Sequence, residues 1–387
     1  MHKIYLDHNS TTPVLKEVLD VMLPFYKDSF GNPSSIHSEG RAARVCLDEA
    51  REQVAELIGA RSSEIVFTSG GSESNNFAIL GVALALNSKK RHIVTCEVEH
   101  AAILNPLKQL EALGFHVDYL PVDNVGRVDP KKVKDALKDS TCLVTIQHAN
   151  SEVGTLQNIK EIGSLIKNND ILFHTDAVQS VGKLAVNVND ISVDLLSMSS
   201  HKIYGPKGVG ALFVKRGTPA LFSPVCGGGQ EKKRRGGTEN VPGIVGFGKA
   251  CKIALDRINK GNLSQLKVMR DLLRNRIEGL IPNVEFYGCS KNGLPNTLSC
   301  GFDGADGETL LIALDMKGIS VSTGSACSSG TGMPSKVLSA LKLPLSKINS
   351  SIRFSLGWVN TSEDIDFAVQ SLAKAVILSR RNPPCSF

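Results

Sequence analysis

The segment Ser199 to Leu212, SSHKIYGPKGVGAL, runs from the end of an apolar strand into His201, Lys202 and a glycine-rich turn. A lysine fixed at a strand end among small residues can serve as a Schiff-base amine when its surroundings lower its pKa. A lone lysine in a loop would be a surface residue, but this one has a partner. Asp176 closes the run ILFHTD 26 residues earlier, and Gln179 follows it. A carboxylate there can keep a pyridine nitrogen protonated, and a Schiff-base lysine paired with such an aspartate is what a protein contributes to pyridoxal chemistry. Alone, Asp176 would read as a helix cap.

A third piece is FTSGGSESNN, residues 67–76, where a strand stops, Gly70 and Gly71 turn the chain and Ser72 starts a helix. Backbone N–H groups at a helix N-terminus, joined by hydroxyls, bind phosphate. His100 lies just past HIVTCEVE and could stack on a cofactor ring or move a proton; Asn150 and Ser151 follow CLVTIQHA at another strand end. An open α/β sheet gathers groups at its strand C-termini in this way. Last comes VSTGSACSSGTGMPSKVL, where Cys327 stands among glycines and serines before Pro334, which is expected to open a helix. So few packing atoms suit a thiol that travels to a partner, and its chemistry requires the thiolate.

The elements that must position these groups follow from hydrophobic pattern. EIVFTS, HIVTCE, HVDYLPV, CLVTIQH, ILFHTDA, VDLLSMSS and GALFVK alternate with helical stretches, among them Ser72–Leu86 and Ala101–Leu113. Strands alternating with helices predict an α/β fold, a mainly parallel sheet covered on both faces. Near Asp256 the pattern changes to a charged amphipathic helix, LSQLKVMRDLLRNRIEGL, then to NTLSCGF, ETLLIALDMKG and SSIRFSLG. The expected division is a large domain over 13–255 and a smaller α+β domain made of 1–12 and 256–387. The first twelve residues read as an extended arm packing with the C-terminal part, with Pro13 opening a helix.

Composition narrows the classes of function. At 387 residues, 42% hydrophobic and 21% charged, the chain is an ordinary globular protein with room for two domains. A net charge of +6 is too small at this length to signal nucleic-acid binding, and the one dense basic run, Lys232 to Arg235, reads as a solvated loop. Nine scattered cysteines without a CxxC pair predict reduced thiols, no metal site and a cytoplasmic location. No secretory signal and no apolar run long enough to span a membrane is present.

The motifs LDHNSTTP, FGNPSSIH, FTSGGSESNN, HTDAVQSVGK, SSHKIYGPKG, GGGQEKKRRGGTEN, STGSACSS and SIRFSLG occur in one order. In that order the chain resembles NifS/IscS-type cysteine desulfurases over nearly its whole length. The resemblance implies fold-type I pyridoxal-phosphate architecture, a homodimer, and conversion of L-cysteine to L-alanine with sulfur passed to an enzyme cysteine persulfide. A sulfur-acceptor protein, such as a scaffold for iron-sulfur assembly, would take it from there.

By the same resemblance Lys202 carries the cofactor, Asp176 faces the pyridine nitrogen, Gln179 contacts the phenolic oxygen and His100 is the stacking acid/base. Gly71, Ser72, Ser199 and His201 match phosphate positions, and Thr238 matches a residue reaching the neighbouring subunit's phosphate. Arg353, assisted by Asn32, matches the grip on the substrate carboxylate, and Cys327 the persulfide carrier. Three departures stand out. Gly71-Ser72 replaces the usual Ala-Thr, Ser151 replaces the second Asn of Asn-Asn-Glu and inherits its contact to the phenolic oxygen, and Trp358 replaces an arginine. The competing readings are a selenocysteine lyase, a small-amino-acid aminotransferase, or a binding protein of this fold without turnover. The basic run before Thr238 is expected at the rim of the site near the dimer interface, attracting anionic groups.

Overall fold

The computed structural model describes residues 3–86, 90–167, 170–289, 291–323 and 334–381. Thirteen strands are found among them: β1 Ile4–Tyr5, β2 Ile65–Thr68, β3 His92–Cys96, β4 His116–Leu120, β5 Thr141–Thr145, β6 Leu172–Asp176, β7 Leu195–Ser199, β8 Gly210–Val214, β9 Val284–Tyr287, β10 Thr297–Phe302, β11 Ile319–Ser320, β12 Ser322–Thr323 and β13 Ser351–Ser355. Seven form one sheet in the order β2-β8-β7-β6-β5-β3-β4. Only β8 runs against its neighbours. The other six strands therefore end on one edge of the sheet, and Thr68, Ser199, Asp176, Thr145, Cys96 and Leu120 are their last residues there.

β2, β3, β5 and β7 are buried along their whole length, as a sheet with helices on both faces demands. On one face the helices Gly71–Leu86 and Ala101–Ala112 bury Phe77, Ile79, Val82, Ile103 and Leu107. On the other, Ser38–Leu57 and Val241–Asn259 bury Leu47, Val54, Ile244 and Phe247.

The C-terminal part is an antiparallel sheet, β12-β13-β10-β9, covered by the helices Leu263–Leu280, Gly307–Asp315 and Ser362–Arg381. Its own core contains Leu273, Ile277, Phe302, Leu314, Phe354 and Leu372. The N-terminal arm joins it: β1 pairs in parallel with β11, and Ile4 and Leu6 are buried in that core. Trp358 lies between the two parts. Its ring stacks on Tyr204 at 4.0 Å between centroids, and the Arg257 guanidinium sits 4.1 Å from its other face centre.

Three expectations change in detail. The helix expected at Pro13 starts at Lys16, because residues 12–15 are held extended by Thr12 N–H to the His201 carbonyl and Leu15 N–H to the Tyr204 carbonyl. Pro334 likewise does not open its helix; Ser335 caps Lys336–Ala340 by accepting from the Leu338 N–H. The helix Val241–Asn259 runs through Asp256; we propose that the division falls in the turn at 260–262.

Candidate active site

Lys202 ends a single 3₁₀ turn, Ser200–Lys202, that follows β7 directly. Its Nζ donates to the main-chain carbonyls of Asn9 at 2.6 Å and Ser10 at 2.7 Å, so the arm supplies the acceptors that aim it. Asp176, the last residue of β6, is buried. Its Oδ2 accepts from Asn75 Nδ2 at 2.7 Å and its Oδ1 from the Val178 N–H at 2.9 Å. Both partners are pure donors toward the carboxylate, so its orientation is fixed without neutralising its charge. Asn75 was missed in the sequence. Its signal is its place one helical turn inside the helix that begins at Gly71.

The turn before that helix is a cradle. Gly70 has φ +150°, a conformation L side chains rarely adopt. Ser199 Oγ is buried without a partner and lies 3.9 Å from where a Cβ on Gly70 would sit. A buried hydroxyl costs free energy unless something accepts or donates to it, and this one faces the N-terminus of a 16-residue helix. Phosphate fits that place. The departure at Gly71 has a steric reason: a Cβ there would lie 2.8 Å from Val178 Cγ2. Gly71→Ala is expected to weaken cofactor phosphate binding several-fold and to cost about 1–3 kcal/mol by overpacking. Adding Val178→Ala should restore both, read from cofactor titration and thermal melting.

His201 Nδ1 pairs with Thr11 Oγ1 at 3.1 Å. Burial, reinforced by Lys202, Lys207 and Lys183, pushes its imidazolium down to about 4, so the ring is neutral at pH 7. His100 caps the helix Ala101–Ala112. Its Nδ1 accepts from the Ala102 N–H at 3.0 Å, which places the ring proton on Nε2, on the exposed side. Behind it burial raises the Glu99 carboxyl to about 8, and Oε1 of that group accepts from Gln147 N–H and Cys96 Sγ. Burial likewise raises Glu152 to about 7, beside Arg353 and His100.

Arg353 on β13 is buried and already engaged: Nη2 contacts Asp7 Oδ1 at 2.7 Å and Ser10 Oγ at 2.9 Å, and Nη1 the Ser151 carbonyl at 3.3 Å. Its Nε is buried without a partner. The expected grip on a carboxylate thus begins from a guanidinium paired to Asp7 rather than an open fork. Ser151 enters this network through its carbonyl, which also accepts from Asn9 Nδ2. Asn32 does not join: it is exposed, and its Oδ1 accepts from Ser34 N–H inside a local turn. Gln179 Nε2 donates to the Asn9 carbonyl at 3.0 Å. Ser72 is exposed in the first helical turn, and Thr238 is exposed on a cavity of about 140 Å³ with Ser69 and Arg235. Cys327 lies outside the described residues.

Asn9 went unremarked in the sequence, although it binds all the parts together. Its N–H donates to Ser355 Oγ, its Nδ2 to Thr297 Oγ1 and Ser151, and its Oδ1 accepts from Asn296 and Lys183.

The basic run is only partly solvated. Lys232 and Lys233 are exposed, but Arg235 pairs through two nitrogens with Glu73, and Arg234 donates to the Ile65 and Ser63 carbonyls. Glu231, just ahead of it, is buried against Arg51. Glu231, Lys232 and Lys233 all have positive φ, +46°, +57° and +65°.

Residues 4–367 match the family described as "Aminotransferase class-V". The chain belongs to that family. A cysteine desulfurase IscS of Dictyoglomus turgidum is 50% identical over 374 residues, covering 97% of this chain and 94% of the relative. One from Methanosarcina thermophila is 46% identical, covering 98% and 94%. Among solved structures, a NifS-like protein superposes with a TM-score of 0.91 at 36% identity over 97% of this chain and all of the other. SspA in complex with cysteine does so at 0.80 and 38%, covering 92% of this chain and 99% of that one. This class V chain takes pyridoxal 5′-phosphate as its cofactor. The seven described cysteines are all free thiols, and among the described residues no group of His, Cys, Asp and Glu could hold a metal ion. No described helix is long and apolar enough to cross a membrane.

Proposed function

We infer that the chain is a pyridoxal-phosphate-dependent cysteine desulfurase that converts L-cysteine to L-alanine and moves the sulfur onto Cys327. The observation that carries this is the meeting of Lys202, Asp176 and the Gly70–Ser199 cradle on one sheet edge, in a chain half identical to a cysteine desulfurase. Bound there, the cofactor supplies an electron sink for the substrate's α-carbon.

The chain's residues do the rest. Asp176 would hold a positive charge on the ring nitrogen, and Ser199, His201 and the helix N-terminus at Gly71 and Ser72 would hold the phosphate. Gln179 and Ser151 would face the phenolic oxygen. Lys202 Nζ, aimed by the Asn9 and Ser10 carbonyls, would remove the α-proton and later return one to the carbon skeleton. The His100 imidazole would lie over the ring, and its Nε2 would carry a proton to or from the substrate thiol. Arg353 binds the carboxylate as Asp7 yields it. The Cys327 thiolate attacks the substrate sulfur; the S–S bond forms as the Cβ–S bond breaks, and that electron pair stays with the three-carbon product. Two copies would assemble so that Thr238 and the basic turn of one reach the phosphate of the other. The persulfide would then pass to a sulfur-acceptor protein, such as an iron-sulfur scaffold, in the cytoplasm.

The test is the visible spectrum of the purified protein followed by alanine and sulfide release from L-cysteine. Wild type is expected to be yellow and to release alanine with reductant. Cys327→Ala should stay yellow while alanine formation falls by about 10³-fold or more. A colourless protein, or a variant as active as wild type, would overturn the assignment.

A further inference from the structure

Lys183 is 5% exposed, yet among the described residues no carboxylate pairs with its amine. Its Nζ donates instead to two amide oxygens, Gln179 Oε1 at 2.8 Å and Asn9 Oδ1 at 2.9 Å. These two residues share a second link, because Gln179 Nε2 donates to the Asn9 main-chain carbonyl, which also receives Lys202. We propose that Lys183 is a positioning residue that fixes which way the Gln179 amide faces, and so directs the remaining Gln179 N–H toward the cofactor's phenolic oxygen.

The argument is one of donors and acceptors, and it rests on the cofactor assignment above. A carboxamide can sit either way round in a site of given shape, and its hydrogen-bond partners decide which. An alkylamine offers N–H groups, so it selects the oxygen of each amide. With Gln179 Oε1 turned to Lys183, one Nε2–H goes to Asn9 and the other stays for a ligand. With Asn9 Oδ1 also turned to Lys183, Asn9 Nδ2 is left to hold Ser151 and Thr297. Burial, with Lys202 and Arg353 nearby, pushes the Lys183 amine well below its usual range. A neutral amine keeps two N–H groups, which matches its two acceptors, so the arrangement holds in either protonation state. The lysine's place four residues after Gln179 lets one short turn carry both.

The experiment uses holoprotein of wild type, Lys183→Met, Gln179→Leu and the double variant, and reads three quantities: the pH midpoint of the visible cofactor band, kcat and KM for L-cysteine. Without Lys183 the Gln179 amide is held on one side alone, by its Nε2 bond to the Asn9 carbonyl, and its oxygen loses its donor. Lys183→Met is therefore expected to raise the midpoint and lower kcat about tenfold with KM within about twofold. In the Gln179→Leu background it should add less than about twofold to either. A Lys183→Met protein with wild-type midpoint and kcat and only a lower melting temperature would overturn the proposal. So would an equal effect with and without Gln179. If Lys183→Met yields no folded protein, Lys183→Gln is carried through the same pair of backgrounds and judged by the same two criteria. Failure of the cofactor assignment itself shows differently, as a wild-type protein without any visible band.

Discussion

Lys202→Ala is expected to give a folded, colourless protein whose alanine production from cysteine is lowered by at least about 10⁴-fold. Two roles are lost together, the covalent hold on the cofactor and the base at the α-carbon, and proton transfer by a positioned side chain alone contributes about 10²–10⁴. The fold should survive, because the amine donates to main-chain carbonyls, those of Asn9 and Ser10, rather than holding a buried carboxylate. Their loss costs about 1 kcal/mol each. Absorbance, alanine release and a thermal melt on one preparation separate these effects. Retained colour with no turnover would mean that the Ser199 and Asp176 contacts suffice for binding; retained turnover would remove Lys202 from the chemistry.

The largest stability effect is expected at Glu231→Ala. Both carboxylate oxygens meet Arg51, at 2.6 and 2.7 Å, and Oε2 also accepts from the Phe67 N–H, while Arg51 lies over the Phe67 ring. Both side chains are less than a tenth exposed. Breaking such a pair leaves a buried guanidinium uncompensated and costs about 3–5 kcal/mol. That should appear as a fall of roughly 10 °C in the melting temperature. Glu231 also starts the left-handed run through Lys233, a conformation costing about 1–2 kcal/mol per residue that persists only when its surroundings fix it. Its removal should therefore free the segment before Thr238. Replacing Arg51 and Glu231 together by Met should recover most of the lost stability, and a single variant that melts like wild type would show that the pair does not hold this turn.

The α/β core was legible because its signals are local. Runs such as ILFHTD and VDLLSMS centre on apolar residues, end in a functional residue and alternate with helical periodicity, so Asp176 and Lys202 could be placed at strand ends from pattern alone. The Gly70–Gly71 turn was legible for the same reason. Asn75, Asn9 and Lys183 were not, because each acts through a partner more than a hundred residues away or through a carbonyl that no residue type announces. Arg353 was expected in the site from the sequence, but its pairing to Asp7 spans 346 residues and no spacing rule shows it. Pro13 and Pro334 misled because proline suits an extended approach to a helix as well as its first turn. The basic run was read by composition, which could not tell the exposed Lys232 and Lys233 from the paired Arg235.

The clasp made by Asn9 also sets the order in which the protein can be finished. Residues 4–10 are synthesised long before their partners, since the strand partner of β1 is Ile319–Ser320 and the partner of the Asn9 N–H is Ser355. The carbonyls that aim Lys202 are thus held only after almost the entire chain has been synthesised. Long-range pairing of this kind is the slow part of folding, since its loop closure must precede any reward. During translation the parallel sheet can consolidate as a unit while the arm waits. A nascent chain would carry Lys202 well before it could orient it, and the reactive amine becomes competent only in the completed protein.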